Sequence, residues 1–237
     1  MVFFFGKQTK DGLRTAISGF SSGVMVAACV WSLLIPAMEL AESKGVSPAL
    51  PAAIGFSLGV LFFLICDKLI FLREQRLVLR GGKQTPRVFL TCFAIALHNL
   101  PEGMAVGAVF AEVISGADGA HMSAAMALSI GIAVQNFPEG AIVSMPLASE
   151  GVKKSKAFIY GVLSGAIEPI GALFTILAIS FVIPILPYLL GFAAGAMIYA
   201  VIKELLPIIT ENSESNVGII SFAMGFSFMM ILDVALG

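Results

Sequence analysis

A chain of 237 residues that is 58% hydrophobic and 12% charged, with a mean hydropathy of +0.98, has more apolar surface than a water-soluble core of its size can hide. Soluble domains carry about 25% charged residues. The composition excludes that class, and a net charge of −1 gives no basis for a nucleic-acid partner. What remains is an all-α, polytopic membrane bundle, because the roughly ten-residue alternation of a membrane β-barrel is missing.

A helical span needs about 20 apolar residues. Seven stretches qualify, at 13–38, 50–72, 88–112, 122–148, 157–182, 184–207 and 217–236. Ahead of the first, Met1 to Phe5 is too short for the core of a signal peptide. Cys29, Cys66 and Cys92 lie inside spans and read as small packing residues. Asp67 and Lys68 stand toward the end of the second span. The hydrophilic stretch 73–87, with five bases and one acid, reads as a basic loop before the third span. It contains no histidine, so it is no metal-buffering tract. The loop near 113–121 and its edge carry Glu112, Asp118 and His121 without a base, a mildly acidic mouth. His121 reads as a plain loop residue. Nothing marks a separate soluble domain, so residues 1–237 form one membrane domain.

Alternation of seven spans puts Lys7, Lys10, Arg14, Lys68, Arg73, Arg76, Arg80, Lys83, Arg87, Lys153, Lys154, Lys156 and Lys203 on one side and only Lys44 on the other. The positive-inside rule makes that side cytoplasmic, with the N-terminus inside and the C-terminus outside. Glycines four apart recur within spans: Gly19/Gly23, Gly55/Gly59, Gly103/Gly107, Gly161/Gly165 and Gly191/Gly195. This spacing lets helix backbones approach closely in lipid.

The third and fourth spans each carry one copy of a polar hexapeptide: His98-Asn99-Leu100-Pro101-Glu102-Gly103 and Gln135-Asn136-Phe137-Pro138-Glu139-Gly140. A third intramembrane acid, Glu168, again stands beside a proline, Pro169. Helical spacing places His98 with Glu102, and Gln135 with Glu139, on one face each. Asn99 and Asn136 stand at the edges of those faces. The prolines remove the donors that would satisfy the carbonyls of Leu97, Val134 and Gly165. At about 1.5 Å per residue, Glu102, Glu139 and Glu168 lie about 22, 21 and 18 Å from the nearest basic residues, which is a common depth.

Each central acid costs about 2.5–3.5 kcal/mol on insertion scales, and residues 88–152 contain no Lys or Arg. The countercharge must come from protons, metal cations or both. One imidazole, three carboxylates and several amide oxygens make a mixed nitrogen and oxygen donor set for a divalent metal, and acids placed to bridge can hold two ions. The bland alternative is a set of protonated glutamates that bond between helices. Two further readings stay open: a membrane-embedded metalloenzyme, although no His-Glu-x-x-His motif occurs, and a proton-coupled carrier that uses the acids alone. Asp67, Glu204 and Asp233, near span ends, are candidates for pathway or gating roles.

The paired hexapeptides, followed by Glu168-Pro169-Ile170-Gly171, Gly195-Ala196-Met197-Ile198-Tyr199, Glu204-Leu205-Leu206-Pro207 and Leu232-Asp233-Val234, resemble the ZIP (Zrt/Irt-like) metal transporters, most of all their GufA-like branch. The resemblance implies a carrier that moves divalent metal toward the cytoplasm by an elevator-like shift, with Zn2+ as substrate and Fe2+, Mn2+ or Cd2+ as alternatives. It implies a plasma-membrane location, a bilayer as surroundings and a homodimer as an arrangement to test. One ion would take His98, Glu102, Gln135, Glu139 and Glu168. A second would share Glu102 and Glu139 with Asn99 and Asn136. Some members carry aspartate where Asn136 stands, and asparagine lowers the charge of the second place. The family has eight spans with both ends outside, and Val2-Phe3-Phe4-Phe5-Gly6-Lys7 looks like the tail of the first.

Overall fold

A computed structural model describes residues 7–79, 85–116, 121–149, 152–210 and 216–236. Among the described residues the regular structure is entirely helical, arranged as seven rods. The first rod is α1 (Lys7–Ala28), a π-helical segment Cys29–Leu34, and α2 (Ile35–Ser43). Single helices follow: α3 (Ala49–Leu79), α4 (Thr85–Ser115) and α5 (Met122–Ser149). The fifth rod is broken into α6 (Lys154–Gly165) and α7 (Ile167–Leu177). The sixth joins α8 (Ile179–Ala200), a π-helical segment Val201–Leu205 and α9 (Leu206–Thr210). The last is α10 (Val217–Leu236).

Among the described residues five helical stretches are long and apolar enough to cross a membrane: Gly12–Ser43, Ala49–Leu69, Lys154–Leu177, Ser180–Thr210 and Val217–Ala235. The two hexapeptide helices, of 31 and 28 residues, have the length as well. The boundary between the fifth and sixth rods falls at Ala178, earlier than composition suggests. The basic stretch after the second span is mostly helix, since α3 continues through Arg73 and Arg76 to Leu79 and α4 begins at Thr85. Arginine, glutamate and glutamine are good helix formers, and polarity alone does not end a helix.

Glycines make the seams. A Cβ added to Gly19 or Gly23 would lie 2.4 or 2.1 Å from the carbonyl oxygens of Gly218 and Phe222, joining α1 to α10. Gly55, Gly59, Gly191 and Gly195 bring α3 and α8 equally close, against Tyr188, Phe192, Ala52 and Phe56. Gly103 and Gly107 press α4 on the backbone of Glu168 and Ala172 in α7, and Gly161 meets Gly140 between α6 and α5. Of the paired glycines only Gly165 makes no seam. It ends α6 and looks toward Glu168 Oε1, 4.0 Å from its would-be Cβ.

The core lies around the first and sixth rods, with Val24, Met25, Leu33, Leu190, Met197 and Met229 almost fully buried. The outer faces of α3, α7 and α8 show large apolar side chains such as Leu61, Phe174 and Phe181, the last 80% exposed. Such faces suit a lipid solvent, which takes apolar side chains but no unpaired backbone. α2 ends in a Schellman turn: Gly45 sits at φ +70°, with Gly45 N bonded to Glu42 O (2.9 Å) and Val46 N to Ala41 O (3.0 Å).

Candidate metal site

α4 and α5 run as α-helix through Pro101 and Pro138, so the backbone keeps positions 98 and 102, and 135 and 139, one turn apart on their helices. Pro169 behaves differently. α6 stops at Gly165, and Ala166 N shares the carbonyls of Val162 and Leu163 at 3.2 Å each. α7 restarts at Ile167, with Glu168 in its first turn. A helix start favours a negative side chain, so the break supports the charge it displays.

The three glutamate-bearing elements meet at this break. Gly103, next to Glu102, lies against the Glu168 backbone, and Gly171 lies against the Leu100 carbonyl. Glu102 is 1% exposed, Asn99 2% and Glu168 7%. Asn136 Nδ2 donates a short hydrogen bond from α5 to Glu168 Oε2. Asn99 Nδ2 donates from α4 to the Ser164 carbonyl at 3.0 Å. Among the described residues, two buried acceptors here have no hydrogen-bond partner, Glu168 Oε1 and Asn136 Oδ1. An acceptor left without a donor inside a protein carries a penalty of about 1–3 kcal/mol, and a cation removes it.

Asn99, Glu102, Asn136 and Glu168 are thus brought to one level of three adjoining rods. The side chains of His98, Gln135, Glu139 and Glu204 lie outside those described. Among the described residues no three His, Cys, Asp or Glu side chains group closely enough to hold a metal. Ser164 was not foreseen as a partner. It stands four residues before Glu168, and its carbonyl is exposed only because α6 ends there.

The pathway candidates fall at the two ends of the bundle. Asp233 lines a cavity of about 390 Å³ with Ser32, Glu39, Glu112, His121 and Trp31. Ser32 Oγ donates to Asp233 Oδ1 at 2.5 Å, while the buried Asp233 Oδ2 has no partner among the described residues. Leu128, fully buried, stands at the cavity wall. At the other end Asp67 Oδ2 accepts from Tyr199 OH at 3.1 Å and pairs with Lys203 Nζ at 3.2 Å. Lys203 sits on the π-helical segment just before Pro207. Sequence patterns did not single out Ser32, Glu39 or either π-helical segment.

A helical membrane bundle whose interior shows carboxylate and amide oxygens in want of a cation has the build of an ion transporter. Comparison with known proteins agrees. The family model described as ZIP zinc transporter matches residues 73–233. Zinc transporter ZIP11 of Xenopus tropicalis is 33% identical, over 100% of this chain and 92% of the relative. Zinc transporter GufA of Myxococcus xanthus is 36% identical over 87% of the chain and 81% of its own length. Zinc transporter ZupT of Clostridium perfringens is 30% identical over 97% and 88%. The chain belongs to the ZIP zinc-transporter family. It is an integral membrane transporter of metal ions and not an enzyme, which sets the metalloenzyme reading aside.

Proposed function

We propose that this chain carries Zn2+ from the outer face of a plasma membrane to the cytoplasm as one membrane domain, through a site formed by His98, Glu102, Gln135, Glu139 and Glu168, with Asn99 and Asn136 beside it. The carrying observation is the pair of unpartnered acceptors, Glu168 Oε1 and Asn136 Oδ1, buried where the α6–α7 break meets both hexapeptide helices. Oxygen donors with one imidazole bind a borderline cation firmly enough to load it and weakly enough to release it, whereas a thiolate cage would retain it. Fe2+, Mn2+ and Cd2+ suit the same donors.

The distribution of Lys and Arg favours the cavity at Asp233 as the outer mouth and the Asp67–Tyr199–Lys203 cluster as the inner end, beside Glu204. An ion enters among Glu39, Glu112, His121 and Asp233, reaches the glutamates after the helices shift, and leaves past Asp67. The donor set comes from one chain, so a homodimer would serve packing in the bilayer and not coordination. The test is zinc uptake into liposomes holding the purified chain. Glu102→Ala is expected to abolish uptake, and uptake equal to the unaltered chain rejects the reading. Proton flux that persists without metal would favour the proton-carrier alternative.

A further inference from the structure

The seam between α3 and α8 runs in one register from the cavity end to Asp67. Gly191 meets Ala52, Gly55 meets Tyr188, Gly195 meets Phe56 and Gly59 meets Phe192. A Cβ added at any of these four glycines would lie 2.1 to 2.5 Å from a carbonyl oxygen of the facing helix. One turn further the rings of Phe63 and Tyr199 take over, with centroids 6.3 Å apart. After another turn the row ends in Asp67 and Lys203, with Lys203 Nζ 3.2 Å from Asp67 Oδ2. Tyr199 OH donates to the same oxygen at 3.1 Å. A structural task does not explain this pair. The Asp67 and Lys203 side chains are 38% and 57% exposed, and an ion pair so open adds little to stability. A gating task fits no better. Helices packed at backbone distance over several turns move as one, so the pair stays closed whatever the other rods do.

We propose that Lys203 is a tethered counter-ion for Asp67 that keeps the inner end of the bundle free of bound metal. This rests on the reading of that end as the exit. A carboxylate with a phenol oxygen beside it, and Glu204 next along the chain, is a place where a departing divalent ion would stay. Lys203 fills that place first. Its ammonium is fixed to the chain, so it competes at a local concentration that free metal does not reach. It brings three donors and no lone pair, and therefore satisfies Asp67 without offering a metal anything to bind. Its charge also repels a divalent cation at contact range. Zinc that reaches this end meets an occupied carboxylate and passes on.

The experiment counts zinc per chain on the full-length protein in nanodiscs at pH 7, by elemental analysis and calorimetry, beside zinc uptake into liposomes. Lys203→Gln is expected to bind one zinc more than the unaltered chain and to turn over about tenfold more slowly. Lys203→Arg keeps the charge and is expected to match the unaltered chain in both readouts. Adding Asp67→Asn to Lys203→Gln is expected to remove the extra zinc and restore uptake. A zinc count in folded Lys203→Gln equal to that of the unaltered chain overturns the inference. A lowered melting temperature with no added zinc makes the pair a structural staple and overturns it too. Extra zinc in Lys203→Arg, or extra zinc that survives in the double variant, overturns the role given to the charge or to Asp67. No zinc on the unaltered chain, with one on Lys203→Gln, overturns the central metal-site reading and leaves this inference standing.

Discussion

Ser32 and Asp233 show how a pathway acid is set by a residue that carries no mark of its own. Asp233 stands out as an acid in an apolar span. Ser32 does not, because serine in a membrane helix ordinarily returns its hydroxyl to a carbonyl four residues back, as Ser22, Ser57 and Ser129 do. Ser32 instead reaches across from the first rod to α10 and holds Oδ1 of a residue that lines the cavity. If the cavity is the mouth, Ser32→Ala lets Asp233 swing and weakens capture without touching the glutamates. The expected result is a KM for zinc uptake raised about threefold to tenfold, with kcat and the zinc count unchanged. A KM equal to that of the unaltered chain removes Ser32 from the route.

At the scale of the element, the three prolines beside the acids look alike in sequence and act differently in the fold. Pro101 and Pro138 sit inside helices that continue past them, while at Pro169 the rod breaks at Ala166. The difference lies in what surrounds the orphaned carbonyls. At the break, Asn99 caps Ser164 and close contact with Gly103 and Leu100 seats α7. Those contacts are long-range, so no local pattern reveals them. The π-helical segments are hidden for a similar reason: Pro36 and Pro207 mark a lost donor, but the extra residue in the turn depends on what the rod packs against. Pro169→Ala restores an N–H aimed at the Gly165 carbonyl and is expected to join α6 to α7, which turns Glu168 away from Asn136. Thermal stability should change little, since a proline in the first turn of a helix gives up only an N–H that has no intrahelical partner, while zinc uptake falls at least about tenfold, the scale of a misplaced site group. Uptake at the original rate would show that the break is not needed.

Across the whole molecule, the seven rods were legible because each is an apolar stretch of membrane length, and the hexapeptides were legible because acids and prolines are costly inside such a stretch and here occur twice in one pattern. Which ends of the rods gather was not legible. The cavity draws Ser32 and Glu39 from the end of the first rod, Glu112 from the end of α4, His121 and Leu128 from the start of α5 and Asp233 from the end of α10. Chain direction puts all of these at one end of the bundle, and puts Asp67 and Lys203 at the other. Lys44, bonded to the Ile183 carbonyl at 2.7 Å where α8 begins, belongs to the cavity end. Lys153, Lys154 and Lys156 lie at the opposite one. The direction of transport therefore depends on which end faces out, and one labelling experiment decides it. In a chain whose own cysteines are replaced by alanine, Lys44→Cys should react with a membrane-impermeant maleimide on intact cells. Lys156→Cys should react only after the membrane is opened, as the positive-inside rule requires. The reverse pattern would turn the cavity toward the cytoplasm and make it an exit, with Asp67 and Lys203 guarding the entrance.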